Sequence, residues 1–279
     1  MQPPVIDLDP QAFWADPYPD LARMRAEAPI CVVPKLGGAV LMTRRADIHR
    51  EEKRIEVLSS RQPGGLMTRL MGENLMRRDG EAHLSERRAL FPALSPRTVR
   101  EVWLPLFERK TAAILDDLVP RGRADLVRDY AMPVAAEALK LITGLTNMDA
   151  AEMDRVSQGM IDGCANYAGD AEVEARCHDC TASIDAHIEA MMPMLRAAPD
   201  MSALSVMDQA GLGPDRLSAN VKLIISGGQN EPRDAIAGAA WAVMTHGDVR
   251  DATTRGTLGW DAVFSEYARW ISPIGMSPR

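Results

Sequence analysis

The hydrophobic residues of this 279-residue chain recur mostly at three- and four-residue intervals, the spacing of one face of an α-helix. Near the start, Asp16 and Pro17 supply a capping side chain and a first-turn proline, so we predict a helix that runs to about Glu27. Asn147 is the predicted cap of a later helix. Long helices are predicted over residues 97–119, 133–145, 150–164 and 171–195.

Strand-like segments are few. Residues 30–33 and 39–43 are short apolar runs on either side of Gly37 and Gly38, and they predict a β-hairpin. Helical spacing returns at Ala46. The surplus of helix over strand predicts a mainly α fold with a small β part. The sequence shows no internal repeat, low-complexity tract or linker, so we expect a single domain over residues 1–279.

Residues 58–74 contain one proline and three glycines and are predicted to form a long loop. The loop carries four large apolar side chains, Leu66, Met67, Leu70 and Met71. Long loops of this kind are often functional lids or walls. Two interpretations remain open: the loop is a functional lid or wall, or its four side chains fill the core beneath it.

The central stretch, residues 221–246, is apolar at both ends and polar in the middle. Its middle consists of Gly227, Gly228, Gln229, Asn230, Glu231 and Pro232. A proline inside a helix cannot donate to the carbonyl four residues back, here that of Gly228, so a helix through this stretch should kink or widen. The alternative is a short strand, a glycine turn and a new helix that begins near Pro232.

Composition excludes several classes of protein. A net charge of −7 argues against a general nucleic-acid binder, which needs a basic surface. The sequence has no apolar run of 18 residues and no basic-then-apolar leader, so we expect a cytoplasmic protein without a membrane segment. Methionine is abundant, with 17 residues, so flexible thioethers should fill much of the core or pocket wall.

Four cysteines are spread along the chain, and two of them, Cys177 and Cys180, have C-x-x-C spacing. This spacing suits a redox pair or half of a zinc site, with His178 or His187 as further ligands. The surrounding residues have an acidic helical pattern, and no strand precedes them. We therefore favour two helix cysteines that lie one turn apart.

Two further motifs decide between the interpretations of the central stretch. Residues 266–269 read E-x-x-R, and residues 79–88 contain D-x-x-x-H-x-x-x-R-R. Together with the G-G-containing central stretch, and in this order and spacing, they resemble the cytochrome P450 family of haem-thiolate monooxygenases. The segment from Asp16 to Pro29 also resembles the first helix of soluble members, so the resemblance covers nearly the whole chain.

The resemblance implies a cytochrome P450 fold that binds haem b, with its iron, beneath a central helix. It implies that His83 and Arg87 hold haem propionates, that Gly227 and Gly228 lie on the oxygen-binding face, and that Arg279 is a second propionate-binding arginine. It also implies that the loop over residues 58–74 lines the substrate pocket, through Leu66, Met67, Leu70 and Met71. His83 and Arg87 share one helix face, and an arginine can bind a carboxylate through two hydrogen bonds.

The same resemblance implies that Glu266 and Arg269 form a buried structural ion pair. It also shows what this sequence lacks. The family's haem ligand is a cysteine in an F-x-x-G-x-x-x-C-x-G loop after the E-x-x-R helix, whereas no cysteine follows Cys180. The chain therefore corresponds to about the first two thirds of such an enzyme, and we expect no metal ligand in it.

The family's central motif carries an acid followed by an alcohol, which deliver protons during oxygen activation. Here Asn230 occupies the acid position and Glu231 the alcohol position, and an amide cannot relay a proton by ionising. A carboxylate can act as general base and then as general acid, as the use of hydrogen peroxide requires. Gln229 would orient the same peroxide or water. The alternative is that Glu231 pairs with Arg233 and has only a structural role.

These features imply a monooxygenase that acts on a small organic substrate by hydroxylation or oxidative O-demethylation. Some bacterial members that demethylate methoxy-aromatic compounds are similar in carrying a glutamate followed by proline at this place. Electrons would come from a ferredoxin and its reductase, or hydrogen peroxide would serve as oxidant. The alternatives are a degenerate or truncated haem-binding protein without oxygenase activity and a haem-free ligand-binding protein.

Overall fold

The computed structural model describes residues 3–36 and 38–271. Contacts within the chain divide it into two compact units, residues 1–60 and residues 61–278. The first unit has its own small core, in which Met24, Cys31 and Val33 are completely buried. Its hairpin is antiparallel and pairs Ile30 with Met42, as the sequence predicts. Its elements are α1 (Pro10–Ala15), α2 (Tyr18–Glu27), β1 (Ile30–Val33), β2 (Ala39–Met42) and α3 (Arg45–Glu51).

The helices of the second unit, together with the turns that join them, make up its described residues, which include no β-strand. Its first helices are α4 (Leu66–Met71), α5 (Gly80–Leu94), α6 (Pro96–Thr98), α7 (Leu104–Leu118) and α8 (Met132–Thr143). They are followed by α9 (Ala150–Cys164), α10 (Ala171–Ala197), α11 (Ala203–Gln209), α12 (Pro214–Gly228), α13 (Asn230–Thr245), α14 (Gly247–Thr254) and α15 (Trp260–Ile271). Wide π turns at Val99–Trp103 and Leu126–Ala131 lead into α7 and α8. The predicted mainly α fold is confirmed.

Two local predictions were wrong. Residues 66–71 form the short helix α4 rather than a loop, because Gly65 and Gly72 lie at its two ends and no glycine or proline interrupts the six residues between them. Helix α9 is capped by Asp149, whose carboxylate accepts from the backbone N–H of Glu152 at 2.7 Å. Asn147 instead donates to the carbonyl of His187 at 3.2 Å, which ties the loop to α10.

The core of the second unit is rich in methionine, and Met71, Met148, Met153, Met160 and Met207 are all buried in it. Thioethers adapt to irregular gaps between helices that cross at different angles. None of the helices among residues 3–36 and 38–271 is long and apolar enough to cross a bilayer.

The pair α9 and α10 approaches closely because glycines on one helix face cysteines on the other. A Cβ on Gly163 would lie 2.5 Å from Cys177 Sγ, and Gly159 faces Cys180 in the same way one turn earlier. Both thiols are buried, and desolvation raises their pKa, that of Cys177 to about 12. The predicted pair of helix cysteines one turn apart is confirmed. No cluster of three or more metal-binding side chains occurs in the described part of the chain.

Candidate active site

A cavity of about 970 Å³ opens in the second unit beside the central helix. Its walls come from α8, α9, α12 and α13, with Met67 of α4 and Met76 closing one side. Nearly all of its lining is apolar, and Glu231 is the only carboxylate among the described residues that line it. A chamber of this size and character suits a small organic molecule.

The central helix is broken where the cavity meets it. Helix α12 ends at Gly228, α13 begins at Asn230, and Gln229 between them has φ −103° and ψ −55°. Pro232 has no N–H for the Gly228 carbonyl, which accounts for the break. The kinked helix predicted from the sequence is therefore confirmed, and the alternative of strand, turn and helix was wrong.

The two glycines before the break serve different purposes. A Cβ on Gly228 would lie 2.7 Å from Leu139 Cδ1, so this glycine lets α12 approach α8. A Cβ on Gly227 would meet nothing within 4 Å. Both residues line the cavity, and Gly227 therefore leaves an open backbone surface there.

Glu231 lies on the cavity wall without a partner. Its Oε2 atom is buried from solvent and accepts no hydrogen bond, and no cation among the described residues pairs with it. Arg233, the alternative partner predicted for Glu231, pairs with two aspartates instead. Its Nη1 lies 3.3 Å from Asp154 Oδ1, and its Nε lies 2.9 Å from Asp234 Oδ1. A buried carboxylate oxygen without a donor is costly, so it points to a group that the cavity receives.

Gln229 and Asn230 turn toward α9 rather than into the cavity. Gln229 is completely buried, and its amide donates to the carbonyl of Met132 at 3.3 Å and to Asp154 at 3.2 Å. Asn230 donates to Gln158 at 3.3 Å. Neither residue belongs to the cavity lining, so their predicted part in handling the oxidant stays a prediction. Their contacts hold the broken segment against α8 and α9.

Two hydrogen bonds connect the His83 side chain, through Leu75, to the central helix. Its Nδ1 lies 2.9 Å from the carbonyl oxygen of Leu75, which can only accept, so Nδ1 carries the proton. The N–H of Leu75 donates in turn to Asn220 of α12 at 2.8 Å. Leu75 directly precedes Met76, which lines the cavity. The imidazole is therefore held with Nδ1 toward Leu75, the chain neighbour of a residue that lines the cavity.

Arg87 is exposed and has no carboxylate partner among the described residues. The two glutamates nearest to it in α5 bind other residues. Glu81 pairs with Arg88 at 2.6 Å, and Glu86 accepts from Asn220 on α12. Helix α5 thus presents a histidine and a free guanidinium four residues apart, as the sequence predicts for a site that binds carboxylates.

No family model matches the chain, whereas individual relatives match nearly all of it. It is 23% identical over 295 residues to a vitamin D(3) 25-hydroxylase of Pseudonocardia autotrophica, a match that covers 98% of this chain and 68% of the relative. It is 23% identical over 288 residues to the cytochrome P450 monooxygenase PikC of Streptomyces venezuelae, covering 98% of this chain and 67% of the relative.

Solved structures give the same result. Cytochrome P450 260B1 of Sorangium cellulosum So Ce56 superposes with a TM-score of 0.75 at 23% identity, over 97% of this chain and 69% of that one. The crystal structure of CalO2 superposes with a TM-score of 0.76 at 21% identity, over 95% of this chain and 69% of that one. The chain has the cytochrome P450 fold.

The resemblance drawn from three sequence motifs is thereby confirmed, and the chain spans about two thirds of the length of these relatives. The relatives are named as hydroxylases and monooxygenases, which supports an enzyme of the cytochrome P450 type. Their names refer to different substrates, so the family alone does not identify the molecule on which this chain acts.

The described residues fit a haem group at this place. The open backbone at Gly227 leaves room for a flat ring against the central helix, and Glu231 has an unsatisfied oxygen on the same wall. His83 and the unpaired Arg87 are suited to haem carboxylates. Arg279, the further predicted propionate partner, lies outside the described residues.

The predicted substrate-contacting residues divide between the cavity and the core. Met67 lines the cavity. Leu70 and Met71 are buried in the main core, and Leu66 packs against it. Because α4 is a helix rather than a loop, its apolar side chains do not all face one way, and only Met67 points to the chamber.

The ion pair of α15 forms as predicted but is not buried. Arg269 Nε lies 2.7 Å from Glu266 Oε2, and the two side chains are 66% and 62% exposed. Phe264 and Trp270 on the same helix are exposed as well. The prediction of burial was wrong for the described residues, because no described element covers this face of α15.

Proposed function

We propose that the chain carries the proton-delivering and substrate-binding machinery of a haem-thiolate monooxygenase of the cytochrome P450 family. The observation that supports this most directly is Glu231, whose buried Oε2 has no hydrogen-bond partner among residues 3–36 and 38–271. This residue lies on the wall of an apolar cavity beside the break in the central helix. When bound, haem b would supply the redox chemistry that activates dioxygen or hydrogen peroxide.

Glu231 is the residue that moves the proton. A carboxylate with a free oxygen can take a proton from one oxygen of hydrogen peroxide and return it to the other, so that water leaves. Asn230 cannot do this, and its amide is bonded to Gln158. Gln229 positions the segment by bonding Asp154 and Met132, so Glu231 keeps its place at the break.

The cavity favours a small, largely apolar substrate. Phe107, Leu139 and Ile224 are among the apolar side chains on its walls, together with the two glycines of the central helix. We propose aryl methyl ethers as a substrate class. Their oxidation with hydrogen peroxide yields a phenol, formaldehyde and water. A ferredoxin with its reductase would be the alternative source of oxidising equivalents, and the cytoplasm is the proposed location.

The test is the substitution Glu231→Gln in the haem-loaded protein, with Glu189→Gln as the matched control. Glu189 is exposed on α10 and has no ion pair among the described residues. Formaldehyde release from 4-ethylanisole is measured with hydrogen peroxide and, separately, with a ferredoxin and reductase. We expect peroxide-driven turnover to fall about a hundredfold in Glu231→Gln and to be unchanged in the control.

The result separates three cases. A loss confined to the peroxide assay supports Glu231 as the group that handles peroxide, and a loss in both assays makes it the proton donor for either oxidant. Unchanged turnover in both overturns its catalytic role. The spectrum of the reduced protein with carbon monoxide is recorded first, since a strongly red-shifted Soret band reports the thiolate ligand that the proposal requires.

A further inference from the structure

Arg77 is a buried cation without a partner. It lies at the end of a short 3-10 helix, Leu75–Arg77, and only 5% of its surface is exposed. Its Nε is shielded from solvent and makes no hydrogen bond, and no carboxylate among the described residues pairs with it. Arginine is almost never buried unless it is paired, because an uncompensated charge in a protein interior is costly.

Arg78, the next residue in the chain, forms ion pairs with two acidic residues. Arg78 lies 2.9 Å from Glu73 and 2.8 Å from the buried Glu86. Arg216 of α12 pairs with Oε1 of Glu86, the oxygen that Arg78 also contacts. Glu73 and Glu86 are therefore committed to Arg78 and Arg216, and no ion pair with Arg77 forms among the described residues.

The surroundings of Arg77 include residues of the cavity wall. Desolvation lowers the pKa of its guanidinium, and negative charge on Cys164 or Tyr167, when either is ionised, acts in the opposite direction. Both of these residues line the cavity, as does Met76, the neighbour of Arg77 in the chain. Tyr167 is 81% exposed, so this end of the cavity is the one that faces solvent.

We propose that Arg77 binds the carboxylate of an acidic substrate whose apolar body occupies the cavity toward Glu231. The proposal rests on the proposed function and names the substrate class more closely. A guanidinium can bind a carboxylate through two parallel hydrogen bonds, and such pairs are strong where water is excluded. The apolar lining between Tyr167 and Glu231 would accept the rest of an aryl or alkyl acid.

The test measures binding rather than turnover. Calorimetry with the haem-loaded protein compares 3-(4-methoxyphenyl)propanoate with its methyl ester, and decanoate with methyl decanoate. The variants are Arg77→Met, which keeps the length of the side chain and removes the charge, and Arg88→Met as control, since Arg88 is an exposed arginine of α5. Haem content and the midpoint of thermal unfolding are measured for each.

We expect Arg77→Met to bind both acids at least about tenfold more weakly and both esters as before. We also expect it to unfold at a higher temperature, since an unpaired buried charge is replaced by an apolar group of similar length. The control should change neither quantity. Unchanged ester binding shows that the variant is folded, so weaker acid binding then reflects the lost charge.

Two outcomes overturn the proposal. Equal weakening of acids and esters means that Arg77 only shapes the wall. Loss of haem from Arg77→Met, with no difference between acid and ester in the protein that retains it, means that the carboxylate belongs to a haem propionate. If decanoate binds and the aryl acid does not, Arg77 keeps its role, and the aryl ether class of the proposed function fails separately.

Discussion

Asn220 and Glu86 are both completely buried, and the amide Nδ2 of Asn220 donates to Glu86 Oε2 at 2.6 Å. The two residues are 134 positions apart and join α12 to α5. The other end of the same amide, Oδ1, accepts from the N–H of Leu75, whose carbonyl orients His83. One buried side chain of the central helix therefore positions a predicted haem-binding histidine on another element.

Glu86 is the residue on which this network depends. Replacing it with Gln keeps the volume but puts an amide N–H₂ among donors from Asn220, Arg78 and Arg216. We expect the free energy of unfolding to fall by about 3 kcal/mol, near the lower end of the cost of breaking a buried ion pair, because Arg216 is partly exposed and stays solvated. Urea unfolding followed by circular dichroism measures the change.

Glu81→Gln is the control for this experiment, since Glu81 is 73% exposed and pairs with Arg88 at the surface. It should leave the unfolding midpoint unchanged. An equal effect from the two substitutions would show that burial of Glu86 has no energetic consequence.

Arg87 is predicted to hold a haem carboxylate, and it is the arginine of α5 without an ion pair. Because Arg87 makes no contact with a carboxylate among the described residues, the substitution Arg87→Gln should not change the free energy of unfolding of the haem-free protein. It should lower the affinity for haem about tenfold, the effect of losing one charge-assisted pair. Transfer of haem to apomyoglobin measures the affinity, and Arg88→Gln is the matched control. Equal haem loss from both variants would contradict the role of Arg87.

The two glycines of the central helix should respond differently to the same substitution. Gly228→Ala pushes a methyl group toward Leu139 Cδ1, the end of a flexible side chain, so we expect a loss of about 1 kcal/mol in the free energy of unfolding. Gly227→Ala meets no atom within 4 Å and should be at least as stable as the parent, since alanine favours the helix over glycine. Its methyl group enters the cavity, however, and should weaken haem binding. Unfolding midpoints and haem titration of both variants check this.

The sequence predicted the elements that local rules control. Proline at the first turn, aspartate caps and apolar spacing indicate helix ends to within a few residues, and Pro232 after two glycines predicted the break in the central helix. The family resemblance then gave the fold, because three motifs in one order are far more specific than any one of them.

The sequence could not show which polar residues meet in space. Glu86, Asn220 and Leu75 come from distant segments, and nothing near Asn220 in the sequence distinguishes it from an exposed helix residue. For the same reason Arg77 and Arg78 look alike in the sequence, although of the two only Arg78 forms ion pairs with the described residues. Helix α4 was missed because flanking glycines are typical of loops as well as of helix ends.

The glycine and cysteine pairs between α9 and α10 allow a test of close packing. Gly163→Ala would bring its Cβ 2.5 Å from Cys177 Sγ and 2.7 Å from Cys177 Cβ, so the helices must separate. We expect a loss of about 2 kcal/mol. The double variant Gly163→Ala with Cys177→Ala should recover part of it, because the smaller side chain makes room. Additive losses in this double-mutant cycle would show that the two residues do not interact.

The Cys177 thiol should also make stability depend on pH. Desolvation is the main reason that its pKa is raised to about 12, whereas an unfolded chain releases the same proton near about pH 8.5. Between these values the unfolded state binds fewer protons than the folded state, so the free energy of unfolding falls as pH rises. Below about pH 8 both states keep the proton, and the effect is absent.

Between about pH 8 and pH 10, the free energy of unfolding should therefore fall less steeply with pH in Cys177→Ala than in the parent. The two slopes should differ by at most the contribution of one proton. Its absolute stability is lower because a cavity is left, but only the slope is compared. Urea unfolding at several pH values gives the slopes. In the parent, iodoacetamide at about pH 8 should leave Cys177 unmodified while the protein is folded. Equal slopes, together with rapid alkylation of Cys177, would mean that this thiol is not held in the packed interface between α9 and α10.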